Sequence, residues 1–162
     1  MSIRSLIPLS VLLVTLVACG GERAPGDGGP TPPAGGAPPA ADLTPFQLEN
    51  GIGPVTEAVT LGAFDHELAE TGKELFETKC SACHKLGERY VGPALGEVLQ
   101  RRTPTYVLNM ILNPQEMYEK HPVAKQLLAE RMTFMPNQQL TREETRAILE
   151  YLRTQAKGPP KQ

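Results

Sequence analysis

Cys80-Ser81-Ala82-Cys83-His84 is the stretch that decides how this 162-residue chain is read. It is a C-x-x-C-H pattern, the arrangement used for covalent attachment of a c-type haem. The spacing has a physical reason. Two thioethers separated by two residues grip the two vinyl positions along one porphyrin edge, and the next residue brings its imidazole under the iron as proximal ligand. Two other chemistries use paired cysteines. A thioredoxin-type redox pair wants a β-α-β setting, whereas the sequence around this motif is patterned for helices. A zinc site wants four nitrogen or sulfur ligands, and the body of the chain offers only Cys80 and Cys83 with His66, His84 and His121. The motif therefore predicts one haem c, held by Cys80 and Cys83 with His84 on the iron.

The composition fits a cofactor-filled core. There is no Trp, and aromatic residues make up 5% of the chain, so either the core is small or something besides side chains helps to fill it. A haem is itself a large apolar filler. Three cysteines are too few for a disulfide framework. A net charge of −2 and a pI near 5.9 argue against a nucleic-acid partner, which would call for a basic surface. Gly and Pro together supply 31 of 162 residues, and many of these fall in one segment near the N-terminus.

Outward from the motif, the helix signals are clear. Asp65 is a plausible N-cap for a helix from His66 to about Lys79, which delivers the chain to Cys80. Thr103-Pro104 starts a second helix, running through Leu112 and stopped before Pro114. A third runs from about Pro122 to Arg131. The last begins at the capping box Thr141-x-x-Glu144 and places Ala147, Ile148, Tyr151 and Leu152 on one stripe. A short helix is expected where Thr44 caps, Pro45 opens the first turn and Gln47 completes another capping box. No segment alternates with period two. The chain is therefore expected to be all-α, with four to five short helices around one covalently attached haem, and with residues 42–65 as an N-terminal extension to a haem domain over 66–157. Residues 158–162 form a tail.

The N-terminal 41 residues read differently. Arg4 precedes an apolar run of 12 residues, Leu6 to Val17, too short to span a bilayer. The run ends in Leu16-Val17-Ala18-Cys19, which resembles a bacterial lipoprotein signal. That resemblance implies a signal peptide over 1–18 and a lipidated Cys19 as the first mature residue; Gly20 after it favours the outer-membrane route. Residues 20–41 contain 7 Gly, 6 Pro and 5 Ala. Such a segment buries too little apolar surface to offset its ordering entropy and is expected to be a disordered linker. Its r.m.s. span would be about 25 Å, and about 65 Å if stretched. Removing the signal takes away Arg4, leaving 15 basic against 18 acidic residues.

Over residues 70–156 the chain resembles the small monohaem class I cytochromes c. In that family a glycine at the position of Gly72 lets the last helix cross the first at close range, and the aromatics matching Phe76 and Tyr151 pack at the crossing. The resemblance implies that Pro93, in Val91-Gly92-Pro93, lies against the proximal imidazole and accepts its ring N–H, which fixes the tautomer. The sixth ligand comes from further along. The candidates are Met110, Met117, Met132, Met135 and His121, of which Met110 falls among Tyr106, Val107 and Ile111 on a helix and reads as core. Met135-Pro136 lies in a loop shortly before the cap of the last helix, where the family places its axial Met, so Met135 is expected on the iron with Met132 as the rival. His121 precedes a proline at a helix start and reads as a cap or surface residue, with bis-His ligation as the remaining alternative.

The stretch from Arg101 to Phe134 resembles lipid-anchored cytochromes c that feed membrane haem–copper oxidases, and is also similar to cytochromes of nitrous oxide respiration. Gly51-Ile52-Gly53-Pro54-Val55 is similar to an extension that wraps the haem domain in these groups. What this implies is a monomeric electron carrier rather than an enzyme, anchored to a membrane in the cell envelope and facing the periplasm or extracytoplasmic side. It would take electrons from a quinol-oxidising complex and pass them to cytochrome c oxidase or another terminal reductase. Lys79, Lys85, Arg101 and Arg102 are the positive residues nearest the motif and are expected either to steer an acidic partner or to form an ordinary solvated face. An open-site haem enzyme or gas sensor is the reading from another class; nothing in the sequence supplies the distal acid–base pair that a peroxidase requires.

Overall fold

The structure, a computed structural model, describes residues 43–161. The expected signal peptide over 1–18, the expected lipidation site Cys19 and the expected linker over 20–41 lie outside the described residues.

Among the described residues there are seven helices and no strand: α1 (Pro45–Asn50), α2 (His66–Lys79), α3 (Val98–Arg101), α4 (Pro104–Leu112), α5 (Pro114–Lys120), α6 (Pro122–Arg131) and α7 (Arg142–Gln155). Their starts follow from local chemistry. Thr44 and Gln47 form a reciprocal capping box, and so do Thr141 and Glu144. Asp65 accepts from the Leu68 amide and Thr103 from the Tyr106 amide. Two short helices, α3 and α5, go beyond the four to five expected. Pro114 reads as a stop because proline cannot continue a helix, yet at the first position of a new one it costs nothing. Asn113 accordingly ends α4 and begins α5. A Glu116–Lys120 ion pair one turn apart supports this seven-residue helix.

The most extensive helix packing is between α2 and α7. They cross where Gly72 of α2 lies against the backbone of Ala147 and Ile148 in α7. Phe76 and Tyr151 meet beside that crossing with ring centroids 5.4 Å apart. The core gathered around it includes Phe76, Leu99, Val107, Leu108, Leu149 and Leu152. Glu150 is fully buried on α7, paired to Arg153 at 2.6 Å and Arg146 at 3.3 Å, and accepts from the Asp65 amide that opens α2. The charge is thus matched on both oxygens and ties the two helices end to end.

The N-terminal extension packs on this domain through a second core of Ile52, Tyr106, Met117 and Ala124. Asn109, fully buried on α4, is its polar anchor. Its amide donates to the carbonyls of Asn50 and Val55 at 3.0 and 2.9 Å, and its oxygen accepts from the Val55 amide at 3.0 Å. Gly51 has φ of +77°, and at Gly53 a Cβ would stand 2.5 Å from the Asn109 oxygen, so the strap can follow α4 only because glycine occupies both turns. Asn109→Ala should leave three buried backbone groups unpaired. At about 1–3 kcal/mol for each group stranded, a loss of roughly 3 kcal/mol is expected, read as a lower urea midpoint of the haem-loaded protein. A loss under about 0.5 kcal/mol would mean that the strap contributes little to stability.

Candidate haem site

The motif forms a turn at the C-terminal end of α2. Cys80 is the C-cap residue, its amide bonded to Phe76, and the amides of Cys83 and His84 both donate to the Cys80 carbonyl at 3.0 and 2.8 Å. That compact turn brings both thiols and the imidazole to one cleft. Burial, helped by the neighbouring Cys83, pushes the Cys80 thiol up to about 11, so it is neutral at pH 7.

His84 is oriented by the segment that follows it. Its Nδ1 lies 2.9 Å from the Pro93 carbonyl oxygen. A carbonyl can only accept, so Nδ1 carries the proton and Nε2 is left bare, the tautomer a metal ligand needs. Gly92 makes this approach possible: a Cβ there would overlap the ring at Cε1 and stand 2.6 Å from Nδ1. The Gly92 amide also donates to the Cys83 carbonyl at 2.8 Å, closing the loop back onto the motif. Burial holds the His84 pKa below its ordinary value, opposed by the Pro93 bond. The imidazole is therefore neutral at pH 7.

Much of the rest of the cleft lining is apolar. Val107 and Ile111 of α4 and Ile148 and Leu152 of α7 border it, and so does Met135. Met135 is half-buried, and its amide donates to the Tyr118 hydroxyl at 3.2 Å. Tyr118 in turn meets the edge of Phe134, ring centroids 6.2 Å apart. Met132 behaves differently. It caps α6 in the left-handed region with φ of 54°, is 85% exposed and does not border the cleft. Met117 is fully buried elsewhere, its sulfur accepting from the Ile52 amide. Met110 borders the cleft from α4.

His121 is not the surface residue that its place at a helix start suggested. It is fully buried, makes no side-chain cap, donates from Nε2 to the Leu48 carbonyl at 3.1 Å and lies edge-on to Tyr106. It does not border the cleft. Its role is to hold the end of α1 against α4 and α6. Among the described residues no three His, Cys, Asp or Glu side chains are placed to hold one metal ion between them. Of the four positive residues near the motif, Lys79, Arg101 and Arg102 border the cleft. Lys85 instead donates to the Ser81 carbonyl and lies over the Tyr90 ring. The sequence reading missed Tyr106, Tyr118 and Arg131 as cleft residues; each arrives there through helix packing that leaves no local sequence signal.

The donor set fits a c-type haem: two thiols at the required spacing, an imidazole with a free Nε2, a thioether and an apolar lining. Comparison with known proteins agrees. The cytochrome c family pattern matches residues 69–156. The structure is similar to a cytochrome c from Rhodothermus marinus, 50% identical in sequence, covering 70% of this chain and 97% of that one with a TM-score of 0.65. It is similar as well to an engineered form of that cytochrome c bound to a carbene intermediate, 48% identical, covering 71% and 100% of the two chains with a TM-score of 0.63. A cytochrome c-553-like protein of Synechocystis sp. (strain ATCC 27184 / PCC 6803 / Kazusa) is 29% identical over 59 residues, 33% of this chain, and the chain spans about half the length of that curated relative, 56%. Because the matched region takes in α2, the attachment turn, the cleft and α7 together, the chain belongs to the cytochrome c family, with a covalently bound haem c as its cofactor.

Proposed function

We propose that this cytochrome c is a lipid-anchored one-electron carrier of a bacterial respiratory chain, taking electrons from a quinol-oxidising complex and delivering them to a terminal haem–copper oxidase. In this reading Cys80 and Cys83 form the thioethers, His84 is the proximal ligand, Met135 is the distal ligand, and Cys19 carries the lipid. The haem supplies a one-electron change between ferric and ferrous iron. The chain's own residues set the conditions for it. The Pro93 bond makes the His84 imidazole a stronger donor, a Met135 thioether favours the ferrous state, and the apolar walls keep water from the iron. His84 and Met135 together would hold the iron, so that little of the site would need to rearrange on reduction.

The observation that carries this reading is the chemistry of the cleft itself. Among the described residues no Asp or Glu borders it, and the one imidazole there, His84, is committed to Pro93. An oxygen- or peroxide-activating site built on a distal carboxylate or a second imidazole finds neither among the described lining residues. The anchor and linker would keep the domain near the membrane while letting it swing between donor and acceptor, and docking should be brief and small in area.

The test uses the full-length haem-loaded protein, reduced and then exposed to carbon monoxide, and separately mixed with membranes containing a haem–copper oxidase. Expected are a far-red methionine-to-iron band in the oxidised form, no spectral change with carbon monoxide, and rapid cyanide-sensitive oxidation by the membranes. A strong carbon monoxide shift would favour a second reading, a ligand-binding site; the engineered relative bound to a carbene intermediate is the observation behind it. Fast oxidation by a copper-containing nitrous oxide reductase, with none by the oxidase, would move the acceptor rather than the chemistry.

A further inference from the structure

Between the end of α6 and the start of α7 the chain runs from Met132 to Thr141 without regular structure, and Met135 lies within this loop. Packing holds the loop only weakly. Met132, Thr133, Phe134, Pro136 and Asn137 are exposed, and Met135 is half-buried among them. Behind Met135 there is room. A groove of about 370 Å³ opens between α5 and the loop, and Tyr118, Phe134, Met135 and Pro136 border both this groove and the haem cleft. The loop is a partition with space on either side. Further along, Gln139 takes φ of 56°, a left-handed backbone that residues other than glycine adopt reluctantly.

Among the described residues, two hydrogen bonds tie this loop to the rest of the domain. The Met135 amide donates to the Tyr118 hydroxyl at 3.2 Å, and Asn137 Nδ2 donates to the Leu112 carbonyl at 3.3 Å. The Asn137 oxygen also accepts from the Gln139 amide at 2.7 Å, which holds the left-handed turn. One tie is at the methionine itself and the other two residues beyond it. Both come from one place in the fold. Leu112 ends α4, Tyr118 stands on α5, and Asn113 joins the two helices. Asn113 is itself fixed, donating to Glu116 at 2.7 Å and to the Ile52 carbonyl at 3.4 Å. The short helix α5 thereby acquires a purpose, the presentation of Tyr118.

We propose that Tyr118 and Asn137 are positioning residues for the axial methionine: their two bonds, rather than packing, keep the Met135 thioether at the cleft and set how readily another ligand displaces it. This rests on Met135 being the distal ligand. The bonds matter most in the oxidised protein, because a thioether favours ferrous iron and is the weaker ligand once the electron has left. A loop already tied at two points loses little further freedom when its sulfur is engaged. Released from either tie, the loop can yield into the groove behind it, and the sixth position opens to small ligands.

The experiment titrates the oxidised, haem-loaded protein with imidazole at one fixed pH, follows the haem absorption spectrum, and records the urea midpoint of each variant beside it. Tyr118→Phe keeps the ring against Phe134 and removes only the hydroxyl; Asn137→Ala removes the second tie. Each should raise the apparent imidazole affinity by about 3–10-fold, the worth of one hydrogen bond, and the double variant should exceed either. Gln115→Ala, on the same helix and bordering the same groove but bonded to Glu119, should change nothing. The deciding comparison is the same pair of changes made in Met135→Ala. There they should move the affinity by less than about twofold, because the thioether through which they act is gone. If Tyr118→Phe fails to mature, Asn137→Ala at its exposed position decides the matter. Imidazole affinities that match the wild type overturn the proposal, even where the urea midpoint falls. So does an increase of equal size with and without Met135, which would mean that the two residues act on the cleft directly. If Met135→Ala alone leaves imidazole affinity unchanged, it is the assignment of the ligand that fails instead.

Discussion

Met135→Ala is expected to open the iron: the far-red band disappears, the reduced protein gains carbon monoxide binding, and the midpoint potential falls by on the order of 0.1 V or more within the roughly 0.8 V that axial ligands command. The expectation follows from position. Met135 is the loop methionine that borders the cleft, and its backbone is held there by the bond from its amide to Tyr118. Alanine keeps that amide bond and removes only the thioether. The loop should stay in place while the iron gains a free or water-filled site. Losing the sulfur also removes the ligand that prefers ferrous iron, which gives the potential its sign. Met132→Ala is the internal comparison. Its side chain is 85% exposed at the end of α6, so the spectrum and potential should not move. The reverse pattern would reassign the ligand, and an unchanged carbon monoxide response in both variants would point away from methionine altogether.

The two methionines also show what sequence could and could not decide. Both lie in one short segment, and composition treats them alike. What separates them is that α6 ends at Arg131 with Met132 in a left-handed cap pointing to solvent, while Met135 is drawn inward by a tyrosine from α5. That tyrosine sits on a helix the sequence conceals, because Pro114 serves equally as a stop and as a start. Features written in a few neighbouring residues were legible: the capping boxes at Thr44 and Thr141, the span of α2 from Asp65 to Cys80, and the attachment turn itself. Features made by distant packing were not. Glu150 flanks an apolar stripe and would pass for a solvated residue, yet Arg146 and Arg153 fold over it and Asp65 closes it off. His121 and Tyr106 meet edge to face only because α1 and the strap press α4 against α6. Of the positive residues on the cleft, Lys79, Arg101 and Arg102 were legible as those nearest the motif, whereas Arg131 arrives from a third place in the sequence through the packing of α6.

Gly72→Ala should be the most damaging single methyl group in the fold. In an isolated helix the change would help, since alanine is favoured over glycine by about 1 kcal/mol in a helix interior. Here the added Cβ would overlap the carbonyl group of Ala147 and stand 2.9 Å from the amide nitrogen of Ile148. The obstacle is backbone in the middle of α7, so no side-chain rotation relieves it and the two helices must separate. Separation loosens the Phe76–Tyr151 contact and the core beside it. Overpacking costs typically about 1–3 kcal/mol and more when backbone has to move, so a loss of roughly 3 kcal/mol or more is expected. Set against the roughly 5–15 kcal/mol of a whole domain, that leaves a protein that matures poorly. Ile148 and Leu152 belong to the same helix and border the haem cleft, so the damage should reach the chemistry: the far-red band weakens and carbon monoxide gains entry even with Met135 present. Gly62→Ala supplies the contrast, since a Cβ there meets nothing within 4 Å, and its guanidinium midpoint should match the wild type. Equal midpoints for Gly72→Ala and Gly62→Ala would show that the α2–α7 crossing has slack, and that the glycine is not what sets how closely these helices approach.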